Sequence, residues 1–389
     1  MGIKIDLSER LKKLPPYLFV EIDSQKKRAL DEGRDIIDLG VGDPDTPTPD
    51  FIMKAMAKAI KDPSTHVYPS NKGLREFREG VAVWYRERFG VSLDPETEIL
   101  PLIGSKEGIA HMPLAFINPG DVALIPNPAY PPYRNGTIFA GGEPYDMPLK
   151  AENNFLPDLG SIDDTTLNRA RILFLNYPNN PTGAVCDRRF YQEVTAFAIK
   201  NNIIVLSDAA YTELSYDGYM PPSFLEAEGA KAVGVEFHSL SKTYNMTGWR
   251  IGMACGNKDI ISALAKVKSN IDSGIFNAVQ HAGIAALKGK KGYMDGINKM
   301  YQERRDVLID GLNSIGWKVE KPKATFYVWA RNLDGQDSIS MARLLLEKAD
   351  IVATPGVGFG EHGEGYVRMA LTVPKKRMKE AIKRIKRII

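Results

Sequence analysis

Short apolar runs rich in β-branched residues alternate with helix-like segments along most of this chain, and this alternation constrains its fold more than any other feature. Parallel strands need a crossover of a dozen or more residues, usually a helix, whereas antiparallel strands can be joined by tight turns. The spacing therefore predicts an α/β architecture, with a mainly parallel sheet covered by helices. The six predicted strands are Glu98–Ile103, Asp121–Ile125, Arg171–Leu175, Ile203–Leu206, Val233–His238 and Ile251–Cys255.

The pattern changes after about Lys258, where longer helical segments follow one another. Gly292–Ile315 has the clearest helical periodicity, and Thr325–Ala330 and Gly365–Leu371 have the character of strands. This part of the chain is expected to form a second, smaller α+β unit. The N-terminal residues, which include the extended stretch IIDLGVGDPD, are expected to pack with it.

These patterns predict two domains. The large domain is expected to span residues 48–280, and both termini, residues 1–47 and 281–389, are expected to form the small one. Thr48 followed by Pro49 is a typical helix start, so Thr48 is expected to cap a helix over Pro49–Lys61.

Composition excludes several classes of protein. The chain has 389 residues, a formal net charge of +3 and 43% hydrophobic residues, which is typical of a globular protein and gives no indication of nucleic-acid binding. No run approaches the ~18 consecutive apolar residues of a membrane span, and the opening MGIKIDLSER lacks the apolar core of a signal peptide. We therefore expect a cytoplasmic protein that binds neither a membrane nor nucleic acid.

The cysteines and histidines do not indicate a metal centre. Two cysteines cannot build a disulfide framework, and neither lies in a CxxC motif. The five histidines form no HExxH motif and no close pair, so neither a zinc site nor a serine or cysteine triad is predicted.

Polar residues follow several predicted strands, at the edge of the sheet where open α/β folds bind ligands. One strand leads into Gly104-Ser105-Lys106-Glu107-Gly108 before a helical pattern, and the free N–H groups of Ser105 and Lys106 suit a phosphate. Another strand ends at Asp208. A third ends in Ser239-Leu240-Ser241-Lys242, which places two hydroxyl groups beside one amine.

Lys242 taken alone would be a solvated surface charge, as most lysines are. Its neighbours change this interpretation, because Ser239 and Ser241 precede it and Arg250 follows eight residues later. The arginine guanidinium can bind phosphate through paired hydrogen bonds. Phosphate ligands on both sides of an amine are what a phosphate-bearing aldehyde cofactor requires, and pyridoxal phosphate is such a cofactor.

Three motifs in order carry a family resemblance: YPNNPTG, SDAAYTEL and SLSKTYNMTGWRIG. With them the sequence resembles the pyridoxal-phosphate-dependent class I/II aminotransferases of fold type I, over nearly the whole chain from Gly40 to Arg368. The resemblance implies a seven-stranded, mainly parallel sheet between helices in the large domain. It also implies pyridoxal 5′-phosphate as cofactor, and an amino acid and a 2-oxo acid as substrates.

By this resemblance Lys242 is the Schiff-base lysine that holds the cofactor aldehyde and then serves as general base for the α-proton. A free lysine has a pKa near ~10.4, so Arg250 and a dry pocket are expected to lower it. Asp208 matches the carboxylate that keeps the pyridine nitrogen protonated, so that the ring can accept electrons. An aspartate at a strand end also commonly caps the following helix, and that alternative stays open.

Four further residues match cofactor-binding positions of the family. Asn180 and Tyr211 match the groups that hydrogen-bond the phenolic oxygen, although NNPTG is also typical of a simple turn. Tyr130, in NPAYPPY, matches the aromatic residue that stacks on the pyridine ring, with packing among prolines as the alternative. Tyr68, in YPSNKG, matches a residue that reaches the phosphate of the neighbouring subunit, which implies a homodimer.

Three residues are predicted to bind the substrate itself, beside Tyr130 and Asn180. Arg368, in the strand-like YVRMAL, is expected to bind the α-carboxylate, with a structural salt bridge as the alternative. Gly40, in LGVGDPD, resembles the backbone that lines the substrate entrance. Lys106 is predicted to contact a carboxylate at the far end of the substrate.

The stretches RLKKLPPYLFVEID, LGVGDPDTPTPDF and HSLSKTYNMTGWRIG resemble the LL-diaminopimelate aminotransferases within this family. This resemblance implies transfer from LL-diaminopimelate to 2-oxoglutarate, in lysine biosynthesis, by a ping-pong mechanism. Aminotransferases for aspartate, alanine or aromatic amino acids remain alternatives, as does a C–S β-lyase of the same fold. A pyridoxal-phosphate-binding regulatory module is a more remote one.

Overall fold

The described residues of this computed structural model, 3–14, 18–289 and 292–389, form fifteen α-helices and twelve strands. The helices are α1 (Glu9–Lys12), α2 (Leu18–Asp31), α3 (Asp50–Ala59), α4 (Arg75–Phe89), α5 (Ser105–Phe116), α6 (Pro132–Phe139), α7 (Asp164–Arg169), α8 (Arg188–Asn201), α9 (Ala230–Val233), α10 (Leu240–Thr243), α11 (Lys258–Ile271), α12 (Asn277–Lys288), α13 (Tyr293–Ser314), α14 (Ser338–Ala349) and α15 (Lys375–Ile385). The strands are β1 (Ile37–Asp38), β2 (Ile99–Leu102), β3 (Val122–Asn127), β4 (Glu143–Pro148), β5 (Ala170–Asn176), β6 (Ile204–Asp208), β7 (Gly234–Ser239), β8 (Gly252–Gly256), β9 (Tyr327–Arg331), β10 (Ile351–Val352), β11 (Thr354–Pro355) and β12 (Tyr366–Ala370). Pro15, Pro16 and Tyr17, within the RLKKLPPYLFVEID stretch, lie outside the described residues.

A seven-stranded sheet forms the centre of the fold, with strand order β2-β8-β7-β6-β5-β3-β4. Only β8 runs antiparallel to its neighbours in this sheet, so the predicted seven-stranded, mainly parallel α/β sheet is confirmed. All six strands predicted from the apolar runs lie in it. The seventh, β4, escaped prediction because it contains Pro144 and Pro148, and a proline is tolerated in a sheet mainly at an edge strand such as this one.

Two smaller sheets lie beside the large one. Strands β9 and β12, both predicted, pair antiparallel and β11 adds to β12, while β1 pairs with β10 in parallel. The hydrophobic core beside these two sheets contains apolar residues of the N-terminal stretch, such as Leu39, and of the C-terminal part, such as Met378. Helix α12, which crosses the predicted boundary at residue 280, packs against α3 and α4. The division into two domains stays a prediction.

The predicted cap of α3 is wrong. This helix begins at Asp50 after Pro49, and no side chain accepts a hydrogen bond from its first turn. The Thr48 hydroxyl instead donates to the carbonyl oxygen of Asn245, at 2.7 Å. Because Asn245 lies three residues after Lys242, this bond fixes the N-terminal stretch next to the lysine motif.

Among the described residues, no helix is both long enough and apolar enough to cross a membrane.

Candidate active site

The carboxyl ends of the central parallel strands open into a cavity of about 590 Å³. Side chains from the large sheet, from the loops that follow it and from β9 and β12 meet there. Eleven of the predicted site residues line it, namely Ser105, Lys106, Tyr130, Asn180, Asp208, Tyr211, Ser239, Ser241, Lys242, Arg250 and Arg368. The tertiary structure therefore brings together residues that are far apart along the chain.

Lys242 extends into this cavity from α10, the short helix that directly follows β7. Its Nζ donates a hydrogen bond to the carbonyl oxygen of Gly42, at 2.8 Å. Burial is the main cause that lowers the pKa of this amine; Tyr327 and Asp43 oppose this shift, and the charges of Arg368 and Arg250 add to it. A lysine with a lowered pKa is neutral more often near pH 7, and only the neutral amine can act as nucleophile or base.

Asp208 ends β6 with one carboxylate oxygen bound and the other free to bind a ligand. The Tyr133 hydroxyl donates to Oδ2 at 2.8 Å, whereas the buried Oδ1 accepts no hydrogen bond from any described residue. Burial raises the pKa of Asp208 to about 6. Its carboxylate caps no helix, so the alternative considered from the sequence is wrong. A buried, unpaired carboxylate oxygen suits a cationic N–H group.

The turn between β2 and α5 forms one end of the cavity. Gly104 has φ +73° there, and a Cβ at this position would lie 2.2 Å from Nη2 of Arg250, so the guanidinium packs directly on the turn. Ser105 and Lys106 begin α5. The backbone N–H groups of a first helical turn have no partner within the helix, so the turn and the arginine together form a cradle for an anion.

Ser239 and Ser241 lie at the same end of the cavity. Oγ of Ser239 accepts the backbone N–H of Ser241 at 3.2 Å, whereas the buried Oγ of Ser241 has no hydrogen-bond partner among the described residues. Arg250 is exposed and donates to the carbonyl oxygen of Thr247 at 2.9 Å. This end is therefore more open to solvent than the end at Asp208.

Asn180 and Tyr211 lie between Asp208 and Arg368. The Asn176 side chain donates to the carbonyl oxygen of Asp208 and accepts the N–H of Asn180, both at 2.7 Å, so one amide fixes both residues. The Tyr211 hydroxyl donates to the Tyr327 hydroxyl at 3.2 Å. Burial raises the pKa of Tyr211, which keeps its hydroxyl protonated and able to donate.

Arg368 is 4% exposed, and its guanidinium is held by neutral groups. It donates to Oδ1 of Asn180 at 2.9 Å and to the carbonyl oxygen of Gly40 at 2.6 Å. The rings of Tyr327 and Phe359 lie 4.2 and 4.7 Å from its central carbon. No carboxylate within residues 3–14, 18–289 and 292–389 forms an ion pair with it, so the predicted alternative of a structural salt bridge is wrong. The buried positive charge suits a substrate carboxylate.

Two predicted residues do not line the cavity. Gly40 supports Arg368 through its carbonyl oxygen, while Gly42, two residues later, reaches the cavity wall. Tyr68 is 92% exposed and lies outside the cavity. Its predicted role concerns a neighbouring subunit and stays a prediction.

Sequence reasoning missed four residues that shape the site: Gly42, Tyr133, Asn176 and Tyr327. Tyr133 is the last residue of the NPAYPPY motif that contains Tyr130, and it could have been found there. Asn176 directly precedes YPNNPTG. Tyr327 carries no local signal, because it comes from β9 and reaches the cavity only through packing. A Cβ at Gly42 would lie 1.9 Å from the Tyr327 hydroxyl oxygen, so only glycine fits there without displacing this ring.

The residues present fit pyridoxal 5′-phosphate. The cradle of Ser105, Lys106 and Arg250 suits its phosphate, and the unpaired oxygen of Asp208 suits its ring nitrogen. The amine of Lys242 lies in the same cavity. The stacking role of Tyr130 stays a prediction, although its ring stands edge-on to Tyr133 with 5.9 Å between the centroids.

Known proteins are similar to this chain over nearly its whole length. Residues 34–385 match the family model of aminotransferases class I and II. An LL-diaminopimelate aminotransferase of Syntrophobacter fumaroxidans is 59% identical over 381 residues, 98% of either chain, and one of Moorella thermoacetica is 55% identical over 382 residues, again 98% of either chain. A substrate-bound BacF structure from Bacillus subtilis superposes with a TM-score of 0.95 at 40% identity, covering 100% of this chain and 98% of that one. The chain therefore belongs to the class I and II aminotransferases, a family that depends on pyridoxal phosphate.

Proposed function

We propose that this chain is an LL-diaminopimelate aminotransferase, which transfers an amino group from LL-diaminopimelate to 2-oxoglutarate in lysine biosynthesis. The observation that carries this proposal is the high identity, over nearly the full chain, to relatives that bear this name. The cavity supports it, because a substrate with two amino acid ends needs charged groups at both ends of the space it occupies.

Arg368 is proposed to bind the α-carboxylate of the end that reacts. The Tyr327 and Phe359 rings pack against its guanidinium, and the buried Nε has no hydrogen-bond partner among the described residues. A planar guanidinium binds a carboxylate through two parallel hydrogen bonds, which orients the substrate as well as holding it. Lys106, exposed at the cavity wall, is proposed to contact the distal carboxylate.

When bound, pyridoxal phosphate supplies an aldehyde that takes up the amino group and a ring that accepts electrons from the α-carbon. Lys242 Nζ is proposed to form the covalent link to this aldehyde and, once released, to take the proton from the substrate α-carbon. The lowered pKa of Lys242 suits this task. The two half-reactions then alternate in a ping-pong order, because the first product leaves before the acceptor enters.

Asp208 is proposed to keep the ring nitrogen protonated, with Tyr133 holding its other oxygen. Asn180 and Tyr211 are proposed to donate hydrogen bonds to the phenolic oxygen, and Tyr130 to stack on the ring. The backbone N–H groups of Ser105 and Lys106 and the side chains of Ser239, Ser241 and Arg250 are proposed to hold the phosphate, which leaves the Lys106 amine for the distal carboxylate. These groups are positioned before the substrate arrives, so little reorganisation is needed during the reaction.

The active unit is proposed to be a homodimer in the cytoplasm, in which Tyr68 of each subunit completes the neighbouring phosphate site. The support is the 92% exposure of Tyr68, an aromatic residue that no contact within its own subunit covers.

A panel of amino donors with 2-oxoglutarate, scored by glutamate formation, tests the proposal. LL-diaminopimelate is expected to be the best donor, ahead of aspartate, alanine and aromatic amino acids. Robust turnover of one of those donors with none of LL-diaminopimelate would contradict the substrate and leave the reaction class intact. Steady release of pyruvate and ammonia from a cysteine conjugate without an acceptor would instead indicate a C–S β-lyase, and cofactor binding without any turnover a regulatory module.

The distal end of the substrate can be tested in the same assay. The variant Lys106→Met is expected to raise KM for LL-diaminopimelate far more than KM for alanine, which has no distal carboxylate. Alanine thus serves as the internal control for any general effect on the phosphate turn, which is the turn between β2 and α5 that carries Ser105 and Lys106. An equal rise in KM for both donors would show that Lys106 does not contact the distal carboxylate.

A further inference from the structure

Lys268, on α11, is a buried cation next to the phosphate turn. Its side chain is 1% exposed, and Nζ donates to Oε1 of Glu107 at 2.5 Å, to Oδ1 of Asp272 at 2.8 Å and to the carbonyl oxygen of Ser273 at 3.1 Å. These bonds use all three N–H groups of the ammonium. Because an unpaired buried charge is strongly destabilising, the ammonium holds Glu107, Asp272 and Ser273 in place around it.

Glu107 connects this ammonium to the turn that carries Ser105 and Lys106. It lies in the first turn of α5, and its Oε2 accepts the backbone N–H of Ile103, on the other side of the turn. The carboxylate therefore closes the loop from Ile103 to Glu107 while Lys268 holds its second oxygen. Arg250 packs on Gly104 within the same loop, so a shift of the turn would also displace the guanidinium.

The same ammonium also supports the segment that bears Tyr68. Ser273, its third partner, precedes Gly274, and a Cβ at Gly274 would lie 2.2 Å from the carbonyl oxygen of Ser70. The two backbones are thus in direct contact two residues from Tyr68. The buried Gln280 adds to this contact, because it accepts the N–H of Leu74 at 2.6 Å and donates to the carbonyl oxygen of Ile275 at 2.7 Å.

The cluster around Lys268 could also be considered as a metal site. Glu107, His111 and Asp272 offer ligand atoms within 4.8 Å of one another. The Lys268 ammonium, however, already donates to both carboxylates, and a metal ion would bring a second positive charge next to it. The lysine is therefore the cation of this cluster, and its contacts point to a supporting role.

We propose that Lys268 is a positioning residue for cofactor binding, which holds the Ser105–Lys106 turn through Glu107 and the Tyr68 loop through Ser273. In a dimer, one lysine would then support phosphate contacts in both active sites, one in its own subunit and one in the neighbour. The inference rests on the proposed function, because it takes these residues as phosphate ligands and Tyr68 as the contribution to the neighbouring site.

The test is a titration of the cofactor-free protein with pyridoxal 5′-phosphate, followed by the visible absorption of the bound cofactor. The variant Lys268→Met is expected to raise the Kd of the cofactor about tenfold or more, since charge-assisted hydrogen bonds are lost. Arg78→Met is the matched control, because it removes a cation that is 7% exposed, paired with Glu96 and away from the cavity. It is expected to lower stability in thermal unfolding with less than about a twofold change in Kd.

An unchanged Kd in folded Lys268→Met, or an equal rise in both variants, would overturn the proposal. If Lys268→Met does not fold, Glu107→Gln replaces it. An amide cannot accept from both Ile103 and Lys268 without turning its NH₂ group towards one of these donors. A raised Kd in this variant supports the proposal, and a wild-type Kd rejects it.

The part that concerns Tyr68 is tested by a double-mutant cycle with Tyr68→Phe. If Lys268 holds the loop that bears Tyr68, the two substitutions disturb the same contact and their effects should not multiply. The fold-increase in Kd of the double variant is then expected to be at least about threefold smaller than the product of the fold-increases of the two single variants. Fold-increases in Kd that simply multiply would show that Lys268 does not support the loop that bears Tyr68. The titration contains no amino donor, so its result does not depend on the substrate. If the protein binds the cofactor but does not use LL-diaminopimelate, the proposed substrate is refuted, and the comparison of Kd values between variants still tests the role of Lys268.

Discussion

The two ends of the cavity differ in how their polar groups are held. At the end around Asp208, where we propose that the cofactor ring binds (the ring end), Asp208 is 6% exposed, and Tyr133 and Asn176 fix its carboxylate and its carbonyl oxygen. At the end formed by the turn between β2 and α5, where we propose that the phosphate binds (the phosphate end), Arg250 and Lys106 are exposed. Burial shifts pKa values strongly, whereas exposed charges are screened by water and salt. The ring end can therefore set protonation states, and the phosphate end can supply binding strength that depends on ionic conditions.

The largest effect is expected at Lys242, whose amine lies in the same cavity. Lys242→Ala is expected to reduce kcat at least ~10⁴-fold, because both the covalent link and the general base are lost. The measurement is glutamate formation from LL-diaminopimelate. Borohydride reduction followed by peptide mapping provides the control, since the wild type should carry the label at Lys242 and the variant should carry none. Label at another lysine of the wild type would refute the assignment.

The next largest effect is expected at the ring end. Asp208→Asn keeps the size of the side chain but removes its charge, so the ring nitrogen loses its ionic partner. We expect kcat to fall by ~10² to 10³-fold, and this ratio to be the same at low and high salt because the site is buried. If the reduction in kcat disappears at high salt, the ring end is not shielded from solvent.

Asp208 also makes the stability of the cofactor-free protein depend on pH. Its pKa is raised from 3.8 to about 6 in the folded state, so folding favours the protonated form. The stabilisation is fully present below about pH 4 and is lost as the pH rises through about 6, by about 3 kcal/mol in total.

Denaturant unfolding of the cofactor-free wild type and of Asp208→Asn between pH 4 and 7 measures this dependence. The variant, which is always neutral at this position, is expected to become the more stable of the two as the pH rises. Parallel pH curves for the two proteins would contradict the raised pKa.

The smallest effect is expected at the phosphate end. Arg250→Lys keeps the charge but loses the planar pair of donors, so the Kd of pyridoxal 5′-phosphate is expected to rise by about tenfold. The wild-type Kd is itself expected to rise between 0.05 and 0.5 M salt, on the order of severalfold, because these charges are exposed. A Kd insensitive to salt would show that the two ends do not differ as described.

Much of the fold and of the site could be predicted from local sequence. The six strands with continuous apolar runs were found because burial on both faces leaves a clear pattern, and Lys242, Asp208 and Asn180 were found because each lies in a motif. Strand β4 was missed because its prolines are typical of a loop, and its edge position is a property of the whole sheet. The misplaced cap at Thr48 has a similar cause, since the distant Asn245 carbonyl competes for its hydroxyl.

The sequence by itself determined the order of strands and helices and the residues that we propose to carry the chemistry, because periodicity and motif spacing are local properties of the chain. Only the tertiary structure decided that Tyr133 holds Asp208, that Tyr327 packs against Gly42 and Arg368, and that Lys268 pairs with Glu107. These contacts join residues far apart in sequence. They depend on how the sheets and helices pack, and packing leaves no trace in the spacing of neighbouring residues.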